Sequence, residues 1–229
     1  MHNAAPMAEA IGQVLSYAVG VALSPLPIVA VVLMLATPRA RTNGPAFLLG
    51  WIVGLAVAGT IVLLASSGAS ASDDGAPATW VSWLKIALGV LMLLIGVKQF
   101  RDRPRGDAVP ELPKWMRAID KFTAGRSIAI AFALSAVNPK NLLITVGAAA
   151  AIAQTGIDAA EQAIALAVFI VIATLGVGAP VAIYFAMGDR SAKLLGELRD
   201  WMARNNATIM AVLLLVIGAK LLGDGISAL

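Results

Sequence analysis

The chain has 229 residues, of which 59% are hydrophobic and only 13% are charged. A soluble domain carries charge on about a quarter of its residues, so this composition excludes an ordinary soluble protein and favours one membrane domain over residues 1–229. The net charge of +4 is distributed by side of the membrane and forms no nucleic-acid patch, so no nucleic-acid partner is predicted. There is no cysteine and the single histidine is His2, so we predict neither a metal site nor a cofactor.

Six apolar stretches are long enough to cross a bilayer, which needs roughly 20 apolar residues per helix. They lie at about 8–36, 44–67, 80–100, 127–154, 160–188 and 206–226. The sequence therefore predicts an all-α integral membrane protein with six transmembrane helices. The amino-terminal tail lacks a basic region followed by a cleavage site, so we expect the first stretch to be retained as a span.

The first span is interrupted by the run Ser24-Pro25-Leu26-Pro27. Proline has no amide hydrogen, so the carbonyl groups of Val21 and Leu23 are expected to lack their helical partners. At ~1.5 Å per residue, Ser24 lies about 18 Å from the inner end of the span, near the middle of the membrane. A broken helix at that depth is tolerated where its backbone is buried in protein or lines a wet cavity.

Small and basic residues within the spans have simpler interpretations. Five glycines are expected to permit close packing of helices: Gly50, Gly54, Gly59, Gly176 and Gly178. Three lysines near span ends are expected to extend to the lipid headgroups: Lys85, Lys98 and Lys220.

The basic residues predict the orientation of the chain. They lie in the first, third and fifth loops: Arg39, Arg41, Lys98, Arg101, Arg103, Arg105, Lys114, Arg117, Lys121, Arg126, Arg190, Lys193, Arg199 and Arg204. Those loops are therefore expected to be cytoplasmic, while the loops that contain Asp73, Asp74, Asp158 and Glu161 and both termini face outward. Two cytoplasmic segments have apolar residues at helical spacing and are expected to lie on anionic lipid: Trp115, Ile119 and Phe122 in one, and Leu194, Leu198 and Trp201 in the other.

The fourth span is interrupted by Asn138-Pro139-Lys140-Asn141, and Pro139 is expected to free the carbonyl of Ser135. A cation near the centre of the bilayer costs from ~3 to over 10 kcal/mol, so Lys140 needs a partner. The carboxylates all fall in loops, at span ends or in the tail. An anionic or zwitterionic substrate group is one candidate partner, and the freed carbonyls of the first span, which would make Lys140 a structural strut, are the other.

The two halves of the chain resemble each other. Residues 95–102 read IGVKQFRD and residues 217–224 read IGAKLLGD. Such short matches also arise by chance in apolar helices, but three spans per half would make the second copy inverted, as in many secondary transporters. We predict one repeat at about 8–100, a basic loop at 101–126 and a second repeat at about 127–226. The paired breaks predict a substrate-binding site that contains Ser24, Pro25, Pro27, Ser135, Asn138, Pro139, Lys140, Asn141 and Thr145.

Both interrupted motifs carry a family resemblance. The runs Ser24-Pro25-Leu26-Pro27-Ile28 and Asn138-Pro139-Lys140-Asn141-Leu142-Leu143 resemble the glycopeptidolipid-addressing (GAP) or sulfolipid-addressing branch of the lysine exporter (LysE) superfamily. The resemblance covers the whole chain, and the first-span motif favours the lipid-addressing branch over the amino-acid exporters. It implies an actinobacterial inner-membrane protein that helps to bring a glycolipid or related envelope molecule to the cell surface.

Several functional hypotheses remain open from the sequence. The first is an exporter or flippase for an anionic or zwitterionic lipid-linked substrate, and the second is an exporter of amino acids or other small solutes. A third is a non-transporting accessory subunit, in which loop 101–126 would dock lipid-synthesis or export proteins. The interior has neither a carboxylate pair nor a nucleophile arrangement, so no enzymatic activity is predicted. Membrane lipids are expected partners, and a homo-oligomer is compatible with the sequence.

Overall fold

The computed structural model describes residues 4–69, 79–103, 114–227 and 229. Within these ranges the chain is helical and no residue forms a strand. The α-helices of the described residues are α1 (Ala4–Ala22), α2 (Pro25–Leu35), α3 (Ala40–Ala69), α4 (Thr79–Arg101), α5 (Ala124–Phe132), α6 (Pro139–Ala153), α7 (Ala159–Met187) and α8 (Ser191–Ser227). The predicted outer loop with Asp73 and Asp74, and residues 104–113 of the predicted basic loop, lie outside the described residues.

Several of these helices are long and apolar enough to cross a membrane. Ala40–Ala65, Ser82–Arg101 and Ala159–Ser227 qualify on their own, and the bent pairs α1 with α2 and α5 with α6 qualify together. The last stretch is 69 residues long, far more than the ~20 that one crossing needs, and contains both predicted spans five and six. These two spans correspond to α7 and α8, which a single 3-10 turn at Gly188–Arg190 separates. The chain is thus a helical membrane protein, and the count of six crossings belongs to the proposal below.

Both predicted helix breaks are present. α1 and α2 meet at 52°, and the α5 segment and α6 meet at 59°. Each second helix begins with a proline, because its missing amide needs no partner in the first turn. Ser24 and Asn138, which precede these prolines, have ψ angles of 110° and 120°, outside the helical range.

The broken pairs lie among the long helices. α4 packs along α8, α3 along α5, and α1 along α7, while α6 contacts α1 and α3, and α2 contacts α7 and α8. Four consecutive alanines of α6, residues 148–151, are all buried, so small side chains let other helices surround α6. The two breaks are therefore held inside the bundle.

Four of the five glycines expected to permit close packing do so. A Cβ at Gly50, Gly54, Gly59 or Gly176 would overlap atoms of a neighbouring helix. Gly178 was predicted wrongly, because a Cβ there would meet only Thr174 of its own helix, at 3.9 Å.

The predicted surface helix of the third loop is also corrected. Residues Lys114–Lys121 form a 3-10 helix, and Ile119 and Phe122 are only 3% and 7% exposed. The Phe122 carbonyl accepts a hydrogen bond from Asn43 Nδ2 of α3 at 3.1 Å. Ile119 and Phe122 therefore pack into the protein and do not rest on lipid, while the side chain of Trp115 lies outside the described part of the structure.

Candidate functional site

The two helix breaks contact each other directly. Ser24, at the first break, donates its hydroxyl hydrogen to Asn141 Oδ1 in the first turn of α6, at 2.8 Å. Both residues are buried, at 2% and 1% exposure. The predicted pairing of the breaks is present as a contact between side chains 117 residues apart.

Lys140 joins the same contact from α6. Its Nζ donates to Ser24 Oγ at 2.6 Å and to the Gly20 carbonyl oxygen of α1 at 2.9 Å. The lysine is buried, with 8% exposure, and no carboxylate of the described residues forms an ion pair with it. An ammonium has three N–H donors, and the third has no acceptor among the residues that the structure describes.

The carbonyl that Lys140 uses lies one residue before the predicted one. The Ser24 amide bonds to the Val21 carbonyl at 3.1 Å, a tight turn that satisfies Val21 and leaves Gly20 without its usual amide partner. The prediction that the Val21 carbonyl is free was therefore wrong. Lys140 bonds to Gly20 because the end of α1 tightens.

At the second break the accepting carbonyl also lies one residue before the predicted one, but here the helix widens instead of tightening. Ala133–Val137 forms a π-helical turn in which the Asn138 amide bonds to the Ala133 carbonyl at 2.8 Å. Leu134 thereby loses its usual amide partner, and its carbonyl accepts a hydrogen bond from Asn141 Nδ2 at 2.9 Å. Asn141 thus uses the carbonyl of Leu134, the residue before the predicted Ser135.

A small cavity adjoins this network. Its volume is about 120 Å³, and its lining includes Ser24, Pro27, Asn138, Lys140 and Asn141. Four other residues line it that the sequence analysis did not select as site residues: Leu26 of α2, Gln99 of α4, and Asn206 and Met210 of α8. The signal for the two amides was available, because Gln99 and Asn206 are polar side chains at the ends of predicted apolar spans.

The cavity lies near one end of α4. Gln99 is two residues from the end of α4 at Arg101, next to the charged residues of the third loop. The cavity is therefore close to the end of the bundle that the basic residues predict to be cytoplasmic.

The other predicted site residues do not line the cavity. Ser135 is buried, donates to the Phe132 carbonyl at 3.1 Å and packs beside Gly54 of α3. Thr145 is buried, and its hydroxyl has no partner among the described residues. Pro25 and Pro139 begin α2 and α6 and shape the site through the backbone alone.

A second polar cluster lies where α1, α4, α6 and α8 meet. Lys85, predicted to extend to the headgroups, is only 2% exposed and donates to Gln154 Oε1. Nearby, Asp224 accepts from Lys220 Nζ at 2.5 Å and from the Tyr17 hydroxyl at 3.4 Å. The snorkelling prediction was therefore wrong for Lys85, because Gln154 supplies an acceptor inside the protein.

Comparison with known proteins gives one family match. The model of the family described as "Sap, sulfolipid-1-addressing protein" matches residues 14–227, nearly the whole chain. No curated protein and no solved structure matches the chain significantly. The matched range contains both helix breaks and the residues that line the cavity.

Proposed function

The chain belongs to the sulfolipid-1-addressing protein family, and we propose that it is an exporter or flippase. Its substrate is an anionic or zwitterionic envelope lipid, or the precursor of one, which it moves across a bacterial inner membrane. The proposal includes six crossings with both termini outside, in two inverted halves, as in the lysine exporter superfamily that the motifs resemble. The name of the family refers only to the addressing of a lipid.

The observation that carries this proposal is that Lys140 is buried and has no carboxylate partner among the described residues. In its protonated form, one of the three N–H groups has no acceptor among the described residues, and a cavity lies beside it. A charge without a counter-charge is costly within a membrane, and an anionic group of a substrate would remove that cost. In the first turn of α6, Pro139 has no amide hydrogen and the Lys140 and Leu142 amides bond to Asn138, which leaves the Asn141 amide as a further donor.

The cavity in this conformation is smaller than the proposed substrate. A volume of about 120 Å³ holds roughly four water molecules at ~30 Å³ each, too few for a sugar headgroup. Loading therefore requires α2, α4 and α8 to separate around Lys140. We propose that the two halves rock against each other and expose Lys140 first to the cytoplasmic side and then to the outside.

The test is reconstitution of the purified protein in liposomes with a sulfated glycolipid in one leaflet. We expect wild type to move the lipid between leaflets, and Lys140→Ala to reduce the rate by about 10- to 100-fold, because a hydrogen bond to a charged group contributes ~1.5–3 kcal/mol. Lys98→Ala is the matched control, since Lys98 is exposed near the end of α4 and does not line the cavity. Transport by Lys140→Ala at the wild-type rate would sink the proposal.

A second candidate function is that of an accessory subunit, and one observation favours it. The bonds from Lys140 to Gly20 and Ser24 are those of a structural strut between α6 and α1. In that case wild type and Lys140→Ala would both be inactive in liposomes, and Lys140→Ala would unfold more easily. A competition assay with soluble amino acids addresses the small-solute alternative, because strong competition would exclude a lipid substrate.

A further inference from the structure

Two cavities lie one above the other on the side of α2 away from Lys140. The larger, about 480 Å³, is at the ends of α2 and α7 and the start of α8. The smaller, about 320 Å³, has an entirely apolar lining contributed by α1, α2, α7 and α8. Ligand pockets in proteins commonly fall in the range of ~300–1,000 Å³, so each is large enough to accept part of a molecule.

The two cavities follow the same seam between helices. On α2 the lining passes from Val32 in the larger cavity to Ile28 in the smaller, and on α7 from Tyr184 to Pro180, which is one helical turn in each case. On α8 the lining likewise passes from one cavity to the other within one turn. The two cavities therefore adjoin along this seam, one with charged residues in its lining and the other with apolar residues alone, and we call the two together the cleft.

The polar end contains both signs of charge. Arg199 and Asp189 line it, and Asp189 forms no ion pair within the part of the chain that the structure describes. Arg199 is held by Asp200 through Nε and Nη2, which leaves Nη1 available. An arginine and a free carboxylate in one cavity complement a headgroup that contains a phosphate and an ammonium.

The apolar end is open to the bilayer. Leu23 and Leu175 line it and are 44% and 59% exposed. From Leu175 to Ile183 the groove follows α7 for about 12 Å, at ~1.5 Å per residue. A hydrocarbon chain can lie in this groove and remain continuous with the surrounding lipid.

We propose that this cleft binds one phosphatidylethanolamine-type lipid from the cytoplasmic leaflet. The phosphate contacts Arg199 at the start of α8, the ammonium contacts Asp189, and one acyl chain lies in the apolar groove. This binding site is separate from the Lys140 cavity and does not depend on transport. Its assignment to the cytoplasmic leaflet follows from the basic residues of the adjoining loops.

Native mass spectrometry can test lipid retention directly. The purified full-length protein is equilibrated with equal amounts of phosphatidylethanolamine, phosphatidylglycerol and phosphatidylcholine that have identical acyl chains. We expect one retained lipid, with phosphatidylethanolamine preferred about tenfold over each of the others. Equal retention of the three lipids, or no retained lipid, would overturn the assignment.

Matched variants separate the two ends of the cleft. Ala179→Trp fills the groove and should abolish retention, whereas Ala167→Trp, at an exposed position of the same helix outside the groove, should not. Asp189→Asn should remove the preference for phosphatidylethanolamine over phosphatidylglycerol, and Glu197→Gln, on exposed α8 surface, should keep it. Equal loss in Ala167→Trp and Ala179→Trp would show that the retained lipid lies elsewhere. Because no transport is measured, failure here leaves the role of Lys140 untouched, and failure of the transport test leaves this site untouched.

Discussion

The hydroxyl group of Ser24 has two roles in one hydrogen-bond network. It accepts a hydrogen bond from Lys140 at 2.6 Å and donates one to Asn141 at 2.8 Å. A hydroxyl group can do both, whereas a methyl group can do neither. The two broken helices are therefore joined through this oxygen atom, in addition to the bond from Lys140 to the Gly20 carbonyl.

Removal of that oxygen should weaken the fold. We expect Ser24→Ala to lower the free energy of unfolding by about 1–2 kcal/mol, because it leaves a buried ammonium and a buried amide oxygen with one partner fewer. Unfolding in mixed detergent micelles, followed by circular dichroism, measures the change. Ser16→Ala is the control on α1, where the hydroxyl makes only a long contact of 3.4 Å with a backbone carbonyl. Equal stability of the two variants would contradict the role of Ser24.

The buried pair of Lys85 and Gln154 gives an asymmetric prediction. Gln154→Leu leaves a buried ammonium without its acceptor and should cost about 3 kcal/mol or more, whereas Lys85→Met leaves only a neutral amide unpaired and should cost about 1 kcal/mol. The same unfolding experiment compares them. If Lys85→Met is the more damaging, the lysine has a second role, most simply with Asp224 of the same cluster.

At the scale of helices, close contact between backbones holds the first break in place. A Cβ at Gly176 of α7 would overlap the carbonyl group of Ala22, the last residue of α1. The end of α1 can therefore lie where it does because residue 176 has no side chain.

Two neighbouring glycines therefore form a matched test. Gly176→Ala should destabilise the protein by about 1–3 kcal/mol, because neither backbone can move aside without loss of packing. Gly178→Ala should be neutral or stabilising by about 0.5–1 kcal/mol, since alanine favours a helix and has room at that position. The midpoints of thermal unfolding of the two variants decide the matter, and similar midpoints would mean that α1 and α7 separate easily.

The sequence predicted the breaks in the helices better than the bonds within them. Proline lacks an amide, so the runs at Pro25 and Pro139 locate each interruption without any tertiary information. Whether a helix end tightens, as at Ser24, or widens, as at Asn138, depends on its neighbours. For this reason the predicted free carbonyls lay one residue from those that Lys140 and Asn141 use.

At the scale of the whole molecule, the charges of the loops give less information about the site than the contacts between helices give. The basic residues predict an orientation, but they do not show that Lys85 meets Gln154 or that Gln99 and Asn206 reach the site. The sequence shows that Gln99 and Asn206 are polar residues at span ends, but it does not show that these distant segments meet. The apolar stretches remain informative, because each described one falls within a helix or a bent helix pair.

The natural absence of cysteine permits a clean test of the six crossings. We expect Glu9→Cys and Asp158→Cys to react with a membrane-impermeant thiol reagent in intact cells, and Arg41→Cys and Arg204→Cys to react only after permeabilisation. The wild-type chain is the blank, because it has no thiol. If Asp158→Cys and Arg204→Cys react from the same side, α7 is not a complete crossing and the inverted arrangement is lost.

The hydroxyl oxygen of Ser24 also limits which substitutions the family can accept at the two breaks. The side chain at position 24 donates a hydrogen bond to the side chain at position 141 and accepts one from the lysine at position 140. An apolar substitution at either position alone would leave a buried polar atom unpaired. Inherited changes at position 24 should therefore be accompanied by changes at position 141. An alignment of many relatives would then show these two columns varying together, although 117 residues separate them.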